Sequence, residues 1–194
     1  MIGNDIIDLA EARLRSNWQR RGFLEKIFSL EEQEMIHSSS NPFQTVWRLW
    51  SMKESAYKFY LQKYTNAVRG FYPAKINCEI DSSEAGRVSI KEIQLITKTI
   101  YHQNYLFSTA FSRSIEQTKT EIFYLEKQAP EFQSRFTKEK LLNFISKKNQ
   151  LNKATLTIKK NKTGAPEIFC NSKLLPLACS ITHHGNYGGF SVTF

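Results

Sequence analysis

An α+β fold is predicted by three features of this 194-residue sequence. Apolar residues recur at helical spacing up to about Tyr64 and alternate at strand spacing beyond it. Turn-forming clusters separate short runs rich in β-branched and aromatic residues. With 41% hydrophobic and 23% charged residues, the chain also has enough apolar material to bury the core of one large domain or two small ones.

The first element is a short apolar strand from Met1 to Ile7. Asp8 follows as a helix N-cap, with Glu11 at the capping-box position, and opens a basic helix from Leu9 to about Arg21. Ser29-Leu30-Glu31-Glu32 repeats that signature for a second helix, which runs out in the polar loop Ser38-Ser39-Ser40-Asn41-Pro42. A third helix spans roughly Pro42 to Tyr64. Lys75 to Ile80, Arg87 to Ile96 and Tyr105 to Ser112 then read as strands. Residues 113–121 are polar and form the best candidate boundary, which divides the chain into 1–113 and 120–194. Beyond it, Glu121 to Leu125 reads as a strand and Thr137 to Lys148 as an amphipathic helix with Leu141, Leu142, Phe144 and Ile145 inward. Short strands follow at Ala154 to Lys160, Glu167 to Cys170, Ala178 to Thr182 and Gly189 to Phe194.

The formal net charge of +9 makes a field that attracts polyanions, and its sign does not choose among nucleic acid, an acidic protein and a phosphorylated small molecule. A nucleic-acid-binding module draws on that charge and on the 13% aromatic content, but no such motif is present and the aromatics fall at core-like positions. Cys78, Cys170 and Cys179 include no CxxC pair and are odd in number, so they read as reduced structural thiols. No stretch approaches the length of a membrane span and no secretory leader is recognisable, so the expectation is a cytoplasmic protein that engages neither membrane nor nucleic acid.

The chemistry-bearing residues lie in two places. Within Trp50-Ser51-Met52-Lys53-Glu54-Ser55-Ala56-Tyr57-Lys58, Glu54 and Lys58 are four apart and share one helix face. In Ile2-Gly3-Asn4-Asp5, Asp5 offers a second carboxylate that can join Glu54 around a hard cation. Taken singly, the same residues read as a strand-end carboxylate and a surface ion pair. Two acids, a metal and a lysine together point to phosphate chemistry. Lys53 lies about a right angle away from the Glu54/Lys58 face; it either meets a phosphate or orients a loop. Trp47, Trp50 and Tyr57 read as core.

Gly3-x-Asp5 followed by Trp50-x-x-Lys53-Glu54-Ser55-x-x-Lys58 resembles the paired signature of the 4′-phosphopantetheinyl transferases. Further matches are Phe23, Lys26-Ile27-Phe28-Ser29-x-x-Glu32, Gly164-Ala165-Pro166 and Ser180-Ile181-Thr182-His183-His184-Gly185. The first part of the chain resembles the C-terminal half of the two-lobed, surfactin-synthetase-activating type, and the second part resembles the N-terminal half, so the lobes look swapped in order. The compact holo-acyl-carrier-protein synthases also begin with Gly-x-Asp but are shorter and assemble as trimers. The resemblance therefore implies two similar α/β lobes in one chain, a pseudo-dimeric monomer.

It also implies a reaction, the transfer of phosphopantetheine from coenzyme A to a serine of an acidic acyl or peptidyl carrier protein, with release of 3′,5′-ADP. In that reading Asp5 and Glu54 bind Mg²⁺, and Lys58 stabilises or protonates the departing phosphate. Glu54 or a hydroxide at the metal takes the serine proton. Thr182 and His183 lie near the coenzyme's 3′-phosphate, with Lys53 as a further phosphate contact. Two positions depart from the pattern. Ile7 stands where two-lobed relatives carry a third acid, which implies a two-carboxylate metal site. Ala165 replaces a frequent lysine, so Lys162 is the candidate substitute. A protein of this family without activity, binding only carrier or coenzyme A, is the alternative. Glu32 matches a family acid and also stands at the capping-box spacing from Ser29. Arg13, Arg15, Arg20 and Arg21 read as a solvated helix face that also suits an acidic carrier, with Arg13 and Arg20 expected on one face.

Overall fold

The chain opens on β1 (Gly3–Asp8), which is buried along its whole length. The computed structural model describes residues 1–112 and 118–194. Asp8 caps α1 (Leu9–Arg15), its Oδ1 accepting the N–H groups of Ala10 and Glu11 at 3.0 and 3.1 Å. The expected basic helix ends early, because Ser16 turns extended and the Asn17 side chain accepts the N–H of Gln19, a local bond that competes with the helix. Arg20 and Arg21 therefore lie in a turn, and α2 (Phe23–Ile27) starts after Gly22, whose φ of 78° suits a residue without a Cβ. Arg13 and Arg20 do not share a helix face.

Ser29 and Glu32 form both halves of the capping box of α3 (Leu30–Ser38). The long α4 (Pro42–Lys63) begins at Asn41, whose side chain accepts the N–H of Gln44, with a proline in the first turn. Next come β2 (Ile76–Ile80), β3 (Ala85–Ile90), β4 (Ile93–Tyr101) and β5 (Tyr105–Phe111), which with β1 form an antiparallel sheet in the order β1-β5-β4-β3-β2. The run expected as one strand from Arg87 to Ile96 is a hairpin, with Ile90 opposite Ile93 and Lys91 at a φ of 49°. Lys91-Glu92 carries none of the usual turn residues, so the fold there is set by pairing rather than by local preference.

The second part comprises β6 (Thr118–Tyr124), α5 (Pro130–Asn149), β7 (Leu156–Lys160), β8 (Pro166–Cys170), β9 (Lys173–Leu174), β10 (Ala178–His184) and β11 (Tyr187–Thr193). Residues 113–117 of the candidate boundary lie outside the described residues; from Thr118 the chain is already paired to β11. Helix α5 begins a full turn or more before the expected Thr137, and of the four apolar residues expected inward Leu141 and Ile145 are fully buried and Leu142 and Phe144 half-buried. Strand β9 was not anticipated; it follows a tight turn in which Asn171 and Ser172 both adopt positive φ. The sheets are β10-β11-β6 and β7-β8-β9. One core cluster draws its buried members from residues 7–110 and the other from residues 141–192. Among the described residues no helix is long and apolar enough to cross a membrane.

The two parts meet where β1 and β10 run side by side. The N–H groups of Asn4, Ile6 and Asp8 donate to Ser180 Oγ, Thr182 Oγ1 and His184 Nδ1 at 3.0, 3.2 and 3.0 Å, each pair 176 residues apart. A constant offset means the strands are parallel, joined through side chains instead of carbonyl groups. Gln62 of α4 adds a clamp, donating to the carbonyls of Ile2 and Cys179 at 2.6 and 2.8 Å.

On its other face β1 lies against α4, and Gly3 sets the distance. A Cβ there would overlap the Ser55 carbonyl oxygen and stand 2.7 Å from the Phe59 nitrogen, both of them helix backbone. Gly3→Ala is expected to destabilise the protein by roughly 2–3 kcal/mol or more, read as a lower urea midpoint, because neither strand nor helix has room to move.

Candidate active site

Asp5 enters from β1, and Glu54 and Lys58 from the face of α4 that the Gly3 contact brings up against that strand. Lys58 Nζ donates to the Asn4 carbonyl at 2.9 Å, Asp5 Oδ1 at 3.1 Å and Thr182 Oγ1 at 3.4 Å. Thr182 in turn donates its hydroxyl proton to Asp5 Oδ1 at 3.2 Å. Asp5 is only 8% exposed, and its second oxygen, Oδ2, is buried with no partner. Glu54 sits close enough to feel it. Burial, then the negative charge of Asp5, push its carboxyl up to about 7, against a smaller opposing pull from Lys58.

These side chains line a cleft of about 830 Å³. His183 also lines it, and burial, with the positive charges of Lys58, His184 and Lys138, holds its imidazole below the ordinary range. The neutral ring is a hydrogen-bonding group, not a fixed cation. His184 turns its Nδ1 to β1 instead. Arg69, Lys138 and Lys160 line the same cleft. None of the three is in an ion pair among the described residues. Gly164 stands in the β7–β8 turn at a φ of 84°, and a Cβ on it would lie 3.1 Å from the Arg69 guanidinium carbon. Asn161 clips that turn, accepting the N–H groups of Thr163 and Ala165, while Thr163 donates to the Leu61 carbonyl at 2.7 Å and so ties the turn to α4.

The structure thus brings Asp5, Glu54, Lys58, Thr182 and His183 together, and leaves two sequence candidates outside. Lys53 is completely buried on the opposite side of α4, paired with Glu32 Oε2 at 2.7 Å and donating to the carbonyls of Pro73 and Ile76. Its ammonium has no room for a coenzyme phosphate, which corrects the cofactor-binding expectation. Glu32 accepts the Ser29 and Cys78 N–H groups at 2.9 and 2.7 Å as well, so it caps α3 and neutralises Lys53 at once. Lys162 is exposed and does not line the cleft; Lys160 does. The strand alternation that carries Ile158 inward predicts this for Lys160. Lys138 stands on the same α5 stripe as Ser134, Leu141 and Ile145, another legible signal. Arg69 follows α4 in irregular backbone, where no periodicity reveals it. Trp47 is buried and Trp50 and Tyr57 are half-buried against Phe71, yet all three also line the cleft, which qualifies their reading as core alone.

Two neighbouring carboxylates, one with a buried unpartnered oxygen, could hold a divalent cation. Among the described residues no cluster of three or more His, Cys, Asp or Glu side chains is suited to a metal. Asp8, the next acid after Asp5, is committed to α1 and to the Asn186 N–H at 2.8 Å. A family model, that of the 4′-phosphopantetheinyl transferase superfamily, matches residues 1–110. No curated protein matches the chain.

Two outcomes are expected. Lys53→Met leaves Glu32 charged and sealed from water, and should cost about 3–5 kcal/mol in denaturant unfolding. For Glu54 the folded carboxyl holds its proton up to about 7 while the unfolded one loses it near 4.5. In the metal-free protein Glu54 therefore contributes stability that is fully present below that lower value and is lost, on the order of 3 kcal/mol, as pH rises through 7. Thermal unfolding across that range should show the slope in wild type and lose it in Glu54→Gln.

Proposed function

The chain belongs to the 4′-phosphopantetheinyl transferase superfamily, and on that premise we propose that it moves phosphopantetheine from coenzyme A to a serine of an acyl or peptidyl carrier protein, as the holo-acyl-carrier-protein synthases do. The observation that carries this reading is the make-up of one cleft, lined by the Asp5/Glu54 pair and Lys58 and also by the further cations Arg69, Lys138 and Lys160. A ligand with a diphosphate and a second, separate phosphate suits that combination.

Asp5 and Glu54 would hold Mg²⁺, which when bound supplies charge neutralisation at the diphosphate. The serine oxygen forms its bond to the β-phosphorus as the bond to 3′,5′-ADP breaks, and the hydroxyl proton passes to the Glu54 carboxylate or to a hydroxide held beside it. Lys58 offers its N–H groups to the departing phosphate. Thr182 holds Lys58 and Asp5 in register, and the neutral His183 donates to the coenzyme's 3′-phosphate beside Lys138 and Lys160.

An acidic carrier suits the basic rim. Arg20 stacks on Phe23, which lines the cleft, and Arg13 stacks on Phe43, whereas Arg15 is held by Glu11. We read residues 1–113 and 120–194 as two lobes of a pseudo-dimeric monomer, supported by their separate core clusters.

Intact-mass spectrometry of apo carrier proteins with this protein, coenzyme A and Mg²⁺ tests the reading. One phosphopantetheine should be gained, and the gain should be lost in Glu54→Gln and with a chelator; coenzyme A binding without transfer would instead favour an inactive carrier- or coenzyme-binding protein. Dephospho-coenzyme A should raise KM about 10-fold or more with little change in kcat, and Lys138→Ala should narrow that difference. Charge reversal at Arg13 and Arg20 should raise KM for the carrier and flatten its salt dependence.

A further inference from the structure

Lys58 has three N–H donors, and all three are taken by groups of the protein, the Asn4 carbonyl, Asp5 Oδ1 and Thr182 Oγ1. The Thr182 hydroxyl is equally committed, since it accepts from the Ile6 N–H and from Lys58 and donates to Asp5. The two oxygens of Asp5 consequently differ. Oδ1 receives two donors, one of them charged, and Oδ2 is buried and open.

The charges around that open oxygen are few. Asp5 and Glu54 supply two carboxylates, Lys58 one ammonium, and Asp8 is occupied in capping α1 and the β10–β11 turn. No third acid, histidine or cysteine joins them among the described residues. A lone divalent cation at Oδ2 would face an ammonium across a single carboxylate, in a setting where burial strengthens repulsion as much as attraction. A diphosphate arriving with the cation reverses that balance and gives Lys58 a new anionic partner.

Resting on the reading of the site given above, we propose that Lys58 is the resident counter-cation of Asp5, which keeps the empty cleft a poor site for a divalent cation alone, so that cation and coenzyme diphosphate bind as a mutually dependent pair. Lys58 then moves its N–H from Asp5 Oδ1 to the diphosphate as the cation takes over the charge of Asp5. By linkage, the factor by which the coenzyme strengthens cation binding equals the factor by which the cation strengthens coenzyme binding.

Mn²⁺ binding followed by the paramagnetic resonance of the free ion tests this without turnover. Wild-type protein should bind Mn²⁺ weakly alone and about 10- to 100-fold more tightly with saturating coenzyme A. Lys58→Met should bind Mn²⁺ alone about 10-fold more tightly than wild type and show a smaller response to coenzyme A. Lys58→Gln keeps hydrogen bonds without the charge and should behave the same way, which serves if the methionine variant does not fold. Wild-type Mn²⁺ binding indifferent to coenzyme A, while coenzyme A itself binds, would overturn the counter-cation role and leave the reading of the site standing. Unchanged Mn²⁺ affinity in both folded variants would do the same. Failure of coenzyme A to bind at any Mn²⁺ concentration would overturn both.

Discussion

The parallel seam between β1 and β10 is the constraint on which the rest of the molecule depends. An edge strand exposes a row of N–H groups that must be paired, solvated or covered. Here alternate N–H groups of β1 are taken by the side chains of Ser180, Thr182 and His184, while its other edge pairs with β5. Because side chains stand between the two backbones, the sheets remain separate and a cleft opens beside the seam. Thr182 shows why the seam is also chemical. The same oxygen that accepts the Ile6 N–H is bonded to Asp5 and Lys58, so the joint between the two parts of the chain and the acidic end of the cleft are one network.

Helix α4 divides neighbouring residues between incompatible environments. Successive positions on a helix point about 100° apart and positions four apart nearly coincide. Lys53 is thereby sent into the core and Glu54 and Lys58 into the cleft. A fully buried ammonium would be costly alone, and Glu32 is the group that makes it tolerable, since both members are sealed from water and the Lys53 ammonium meets oxygens of Glu32, Pro73 and Ile76. The pair fastens α3, α4 and the entry to β2 at one point. The orientation of Glu54 and Lys58 thus depends on an ion pair that never touches the cleft.

Local signals in the sequence carried most of the elements. Asp8, Ser29 and Asn41 each cap a helix where their side chains require it, and α4 lies within a residue of its expected span. What was not legible lacked the usual punctuating residues. The hairpin at Lys91 lacks turn chemistry, and α1 is cut short by the bonds of Asn17 rather than by a glycine or proline. At the site, the motif spacing pointed to Asp5, Glu54 and Lys58, which the fold assembles. The same motif misled at Lys53, because helix spacing tells which residues share a face but not which face is buried. Lys162 was misread in a similar way: the strand alternation favoured Lys160, and proximity to Gly164 in sequence was a poorer guide than register.

The turn at Gly164-Ala165-Pro166 receives a cation from elsewhere in the chain. Ala165 is buried, and the turn around it is held by Asn161 and fastened to α4 through Thr163, so the backbone there is fixed independently of any ligand. Gly164 leaves room above the turn, and the Arg69 guanidinium fills it from the segment that follows α4. The cation reaches this wall of the cleft from the other part of the chain, across the same gap that the β1–β10 seam creates. The φ of 84° at Gly164 favours glycine by itself, and a Cβ there would also press on the Arg69 guanidinium by a few tenths of an ångström, so the turn's geometry and the packing of Arg69 both bear on this position.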